Sequence, residues 1–145
     1  MAATSETFTV ANDLASVGRL VVAVETACRA RGIGEADIAA FELAVEELVT
    51  NVATHGYVDG ARHSFSVRLD IEGDLLRAVI TDDAPAFDPL SRAEVDTGLP
   101  LAARPIGGLG VHLVRKLMDR CVYERRDGRN VMTIERQLRT PRDGA

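Results

Sequence analysis

The chain has 145 residues, enough for one domain with a real core but not for two. Its formal net charge of −5 offers no basic face for nucleic acid, the opening "MAATSETFTV" lacks the basic and apolar regions of a secretory signal, and no run approaches the roughly eighteen apolar residues of a membrane span. These exclusions leave a cytoplasmic protein that binds neither nucleic acid nor membrane; Cys28 and Cys121, far apart and without metal-ligand spacing, read as two buried or half-buried thiols.

Residues 7–10 (TFTV) alternate polar and apolar and predict a short opening strand. Asn12-Asp13 can cap the helix that follows. In it Leu14, Val17, Leu20, Val21, Val24 and Ala27 recur at helical spacing up to a stop near Gly32. A second helix opens after "GEAD" with Ile38, Phe41, Val45, Leu48, Val49 and Val52 on one face, and ends at His55-Gly56. The period then changes to two. "SFSVRLDI", an "EGD" turn and "LLRAVIT" make a hairpin.

The segment from Asp82 to Ile106 holds most of the prolines and little periodicity, and an irregular stretch of that length inside a domain usually serves function. A third helix starts after "IGGLG" and runs to about Asp119 with Leu113, Val114, Leu117 and Met118 inward. Two strands around Asp127-Gly128 close the chain. Residues 1–6 are expected to be a flexible N-terminus and 138–145 a loose tail, with one domain over 7–137. The order predicts a two-layer α/β (α+β) sandwich: a mixed, mainly antiparallel sheet covered on one face by three helices.

Three places carry candidate chemistry. Four residues advance a helix by one turn plus about 40°, so Glu47, Asn51 and His55 form a slowly rotating polar stripe at the edge of the apolar face. A carboxylate and an amide oxygen there can hold a hydrated Mg²⁺, which takes few protein oxygens. The same stripe also fits a solvent-facing row of helix-forming polar residues. In "ITDDAPAFDP" an aspartate stands at a strand end, where it can accept a hydrogen bond from the exocyclic amine of a purine, or simply shape a turn. In "RPIGGLGVHLVR" glycines open a helix, a setting that favours phosphate through close backbone approach and about half a positive charge at the helix start. A flexible hinge before a helix would read the same way.

Taken in order, an E-x-x-x-N helix, an aspartate after a strand, a long loop and a glycine-rich helix start closely resemble the GHKL ATPase superfamily. Within it the chain resembles the RsbW-type anti-sigma-factor serine/threonine kinases. The resemblance covers about residues 7–137 and is most specific in "EELVTNVATHGY", "DDAPAFDP" and "GGLGVHLVRKLMD". It implies the Bergerat (HATPase) fold, with ATP and Mg²⁺ bound.

Residue by residue, the resemblance implies that Glu47 acts as the base and Asn51 binds Mg²⁺. Glu46, about 100° around the helix, is the less well placed carboxylate. His55 is expected to shape the site and Asp82 to bind the adenine amino group. Gly108, Leu109 and Gly110 would cradle the phosphates, residues 88–107 would form a lid, and Arg104, or Arg92 in its place, would reach the γ-phosphate. Thr133 on the last strand is a second expected contact near adenine. The superfamily reads D-x-G-x-G where this chain has Ala84 and Ala86, so a φ > 0 at either position would be strained; Phe87-Asp88 matches the D-x-x-x-x-F-D of related switch kinases. The implied activity is phosphoryl transfer from MgATP to a serine or threonine of a STAS-domain anti-anti-sigma partner, with a sigma factor as the protein held, and a homodimer through the N-terminal strand-helix region. The alternative is a binding module that captures a partner without turnover.

Overall fold

In the computed structural model residues 3–91 and 108–142 are described. Asp13 starts the first helix as the sequence predicts. Its carboxylate accepts the Ser16 N–H at 2.7 Å, which satisfies one of the orphan donors of the first turn. The elements in chain order are β1 (Thr4–Ala11), α1 (Leu14–Ala30), α2 (Glu35–Asn51) continued by a π-helical turn (Val52–Gly56), β2 (Ser64–Glu72), β3 (Leu75–Asp82), a 3₁₀ turn (Pro89–Ser91), α3 (Gly108–Leu117), β4 (Arg120–Arg126) and β5 (Arg129–Gln137).

The five strands form one sheet in the order β1-β2-β3-β5-β4. Every pairing among the described residues is antiparallel, where a mixed, mainly antiparallel sheet was expected. The reason lies in the connections. β2–β3 and β4–β5 are joined by two-residue loops, too short for anything but a reversal. In the second loop Asp127 and Gly128 both take positive φ, 53° and 75°, the pattern of a type I′ hairpin.

The helices cover one face of the sheet. Val17, Leu20 and Val24 of α1, Phe41, Val45 and Val49 of α2, and Val114 of α3 are buried against Val67, Leu69, Leu76, Ile80 and Ile134. Period 3.6 on the helices meets period 2 on the strands, and the apolar sets interlock. Two expected core residues point elsewhere: Leu14, at the first position of α1, is 64% exposed, and Leu113 is 40% exposed because α3 turns Val111, Val114 and Met118 inward. Cys28 is buried and Cys121 half-buried, both as free thiols, and burial pushes Cys28 up to about 12. No helix among the described residues is long and apolar enough to cross a membrane.

Residues 4–6 and 138–142, expected to be loose, pack on the fold. β1 begins at Thr4, not residue 7, because its register with β2 extends to Thr4 opposite Ile71, and Ser5 Oγ donates to Asp70 at 2.7 Å. Beyond β5, Leu138 is buried with its N–H on the Asp74 carbonyl. Arg142 is buried too, donating to the carbonyls of Gly73 and Arg31. The segment 138–142 is thus fastened to the β2–β3 turn.

A buried ion pair joins α2 to the last strand. Asp37, fully buried, accepts from Arg136 Nε at 2.9 Å and from the backbone N–H groups of Arg139 (3.0 Å) and Thr140 (3.1 Å). Burial alone would raise its pKa; the two backbone donors and the guanidinium outweigh it and hold the carboxyl below its ordinary value. Asp37→Ala leaves Arg136 without its counter-charge and is expected to cost about 3–5 kcal/mol in urea unfolding at neutral pH. Because the folded pKa is depressed, this stabilisation is complete above the unfolded value and is lost as pH falls through the folded one. The gap between wild type and variant should therefore be flat from about pH 7 to 5 and shrink below about pH 4.

Candidate functional site

The polar stripe on α2 lies where that helix leaves the core. Leu48 and Val49 are buried, while Glu47 and Asn51 are half-buried beside them. Asn51 turns its amide nitrogen toward Glu47 Oε1 at 3.4 Å, a long and weak contact. Its carbonyl oxygen accepts no hydrogen bond among the described residues. The helix then widens into the π turn, a feature frequent at functional sites, and His55 and Gly56 come round to line a cavity of about 430 Å³.

Asn51, His55, Asp82 and Asn130 supply the polar lining of this cavity, and Leu48, Val52, Ile80, Val111 and Met132 much of its apolar wall. A mostly apolar cleft of this size with a few convergent polar groups is the usual form of a small-molecule site. Glu47 is absent from the lining. It lies instead against the start of α3: a methyl group at Gly110 would overlap its carboxylate. The bare Cα of Gly110 leaves the Glu47 carboxylate room to sit between α2 and α3 as it does. Val111 carries the first turn of α3 to the cavity wall, so the helix start, whose first N–H groups have no partner within the helix itself, stands at the rim. Gly108 is the first residue of α3 and Leu109 the second. Arg104 and Arg92, and with them residues 92–107 of the expected lid, lie outside the described residues.

Asp82 ends β3 and is 7% exposed. Its Oδ1 accepts the Ala84 N–H at 3.0 Å and Asn130 Nδ2 at 2.8 Å; Oδ2 takes no hydrogen bond among the described residues. The alanines that stand where the related pattern has glycines cause no backbone strain. Asp127 is the one non-glycine residue with positive φ among the described residues, so Ala84 and Ala86 occupy ordinary conformations. Next door, Tyr57 stacks on His63 and donates its hydroxyl to Asp83 Oδ1 at 2.7 Å. Burial and then that carboxylate raise the Tyr57 pKa, and the same hydrogen bond lowers that of Asp83.

Asn130 is the residue that sequence reasoning passed over in favour of Thr133. On β5 Asn130, Met132 and Ile134 face the helices, and Thr133, opposite Val79, falls out of step with them and does not line the cavity. The signal was present: a polar residue in phase with the buried positions of a strand, paired in register with the end of β3. His55 lines the cavity and makes no hydrogen bond among the described residues. The structure thus brings Asn51, His55, Asp82 and the start of α3 to one cleft, sets Glu47 at its edge, and leaves Thr133 out.

A family model of the histidine kinase-like ATPase domain matches residues 10–136, and the chain belongs to that family. The antiparallel sheet with helices on one face is its Bergerat architecture. Similar proteins include the serine-protein kinase RsbW of Bacillus velezensis, 30% identical over 97 residues (63% of this chain, 60% of that protein). RsbW of Halalkalibacterium halodurans is 33% identical over 88 residues (58% and 53%). The serine/threonine-protein kinase BtrW of Bordetella bronchiseptica is 27% identical over 92 residues (63% and 65%). The match thus spans 60% or less of the length of these two RsbW proteins. Among solved structures, the RsbU and RsbW domains of a Mycobacterium tuberculosis protein align with a TM-score of 0.69 at 18% identity, over 96% of this chain and 34% of that one. At that identity the likeness is one of fold.

The contact between Glu47 and Gly110 gives a direct test. Gly110→Ala is expected to cost at most about 1 kcal/mol, since the carboxylate it meets is the end of a flexible side chain that can swing aside. Glu47→Ala in the same chain should recover most of that loss, because it removes the group the new methyl meets. Urea unfolding of both single variants and the double variant measures the coupling; additive losses would mean the two residues do not share the space.

Proposed function

We propose that the protein is an ATP-dependent serine/threonine kinase of a cytoplasmic partner switch, which phosphorylates a hydroxyl on a STAS-domain anti-anti-sigma protein and holds a sigma factor when that partner is phosphorylated. The observation that carries this reading is the convergence on one cleft of an amide oxygen, an aspartate oxygen free among the described residues and a glycine-opened helix start, with a carboxylate one helical turn from the amide. The names of the similar kinases point the same way.

The residues present fit the ligands. Asp82 Oδ2 can accept from an exocyclic amine, the apolar wall suits a flat base, and the N-terminus of α3 favours phosphate oxygens. No cluster of three or more acidic, His or Cys side chains suited to a metal occurs among the described residues. That suits Mg²⁺, which is commonly bound through one or two protein oxygens together with substrate phosphates; the Asn51 carbonyl oxygen, with Glu47 beside it, would hold it. Bound there, Mg²⁺ would supply neutralisation of charge on the phosphates. Glu47 would accept the proton of the attacking hydroxyl, and Asn51 would keep that carboxylate oriented.

A second reading, a nucleotide-binding module that captures its partner without turnover, is favoured by one fact: Glu47 packs on Gly110 rather than lining the cavity. Incubation with labelled MgATP and a candidate STAS-domain protein separates the two. For a kinase, Glu47→Ala should lower label transfer about 10²–10⁴-fold with MgATP binding retained, and Asn51→Ala should weaken the Mg²⁺-dependent part of binding. In a thermal-shift titration MgATP at a hundredfold excess over its Kd should stabilise the fold by about 2.7 kcal/mol. Binding without any transfer by the wild type would favour the module.

A further inference from the structure

The loop after β3 runs from Asp83 to Ser91 without a glycine, yet it must hold Asp82 at the floor of the cleft. What holds it comes from the β4–β5 hairpin. Asn130, 6% exposed, has every polar atom engaged. Its Oδ1 accepts the Tyr123 hydroxyl at 2.5 Å and the Phe87 N–H at 3.2 Å. Its Nδ2 donates to Asp82 Oδ1 at 2.8 Å, to the Pro85 carbonyl at 3.1 Å and, more weakly, to that of Ala84 at 3.3 Å. Arg125 Nη1 adds a second donor to the Ala84 carbonyl at 2.9 Å.

This arrangement has one orientation. Both groups facing the amide oxygen can donate, and all three facing the amide nitrogen are acceptors. A flipped amide would set its carbonyl against a buried carboxylate and its NH₂ against the Phe87 N–H, leaving several buried polar groups unpaired at once. The consequence reaches Asp82. One carboxylate oxygen is anchored by two donors, so the plane of the group is fixed and the other oxygen has a set direction. A fixed acceptor in a largely apolar cleft discriminates: an amine donates to it, whereas a carbonyl in the same place meets acceptor against acceptor.

We propose that Asn130, locked by the Tyr123 hydroxyl, is a positioning residue for base recognition: it fixes Asp82 so that the cleft selects a purine carrying a 6-amino group. The proposal rests on the nucleotide-binding reading given above and adds a specificity device to it. Asn130 acts through Asp82, and Tyr123 acts through Asn130, so the effect of each grows with the presence of the amine on the ligand.

Isothermal titration with three Mg²⁺ nucleotides tests this: ADP, the analogue with hydrogen in place of the 6-amino group, and IDP, which carries a carbonyl there. The wild-type chain should prefer ADP over each by about tenfold or more. Asn130→Ala should weaken ADP about tenfold while changing the amine-free analogue little, so that the preference falls toward one. Tyr123→Phe keeps the ring on the cavity wall and removes the lock, and should lower the preference about threefold; it carries the test if Asn130→Ala does not fold. Asn130→Thr, which returns one donor toward Asp82, should recover part of the preference.

Equal weakening of ADP and the amine-free analogue in both variants would overturn the proposal, since that is what a purely structural loop brace does. Binding of ADP by the wild type with no preference among the three would overturn it while leaving the nucleotide site standing. No binding of any of the three would overturn the nucleotide reading and this inference together.

Discussion

The register between β3 and β5 is the constraint on which the site depends. It sets Asp82 opposite Asn130 at the mouth of the sheet, on the face the helices cover. Strand side chains alternate with a period of two, so a slip of β5 by one residue would turn Asn130 to the outer face and bring Thr133 inward. What prevents the slip is burial. Met132 and Ile134 are in the core at the same phase as Asn130, and such a slip would expose their apolar surface at about 25 cal/mol per Å². The polar pair at the end of the strands is therefore placed by the apolar residues behind it.

The opposite wall of the cleft is made by two helices that approach closely. α2 ends on a polar stripe and a π turn, α3 begins on glycines, and the absence of a side chain at Gly110 brings the Glu47 carboxylate against the start of α3. Carboxylates are favoured near helix N-termini, so the acid is held at the very place where anionic ligand oxygens would come. This gives the site an economical logic. The helix start has the protein's own acid against it, with Asn51 one turn further along α2.

The remote parts of the fold serve the same geometry. Asp37 ties the first turn of α2 to β5 and to the segment beyond it, through Arg136 and the N–H groups of Arg139 and Thr140. α2 thus has its beginning fixed to the strand that carries Asn130 and its end at the rim of the cleft. A rigid body defined at both ends can hold Asn51 and Asp82 in a constant relation, which an amphipathic helix resting on a sheet through apolar contact alone would do less well.

Hydropathy periods in the sequence determined the elements and their class. Alternation in "SFSVRLDI" and the Asp127-Gly128 turn gave the hairpins, the 3.6 period gave the helices, and Glu47, Asn51, Asp82 and the glycines at the start of α3 stood out as candidates because their residue types are unusual for those positions. The sequence did not determine which groups meet. That Asn130 and not Thr133 faces the cleft, that Glu47 rests on Gly110, that Leu14 and Leu113 point to solvent, and that residues 138–142 are fastened by Asp37 and Asp74 were decided by tertiary packing. The physical reason is range. Periodicity reports only a residue's near neighbours along the chain, whereas a hydrogen bond such as Asp82 to Asn130 spans 48 positions and exists only when the register of a whole sheet is set.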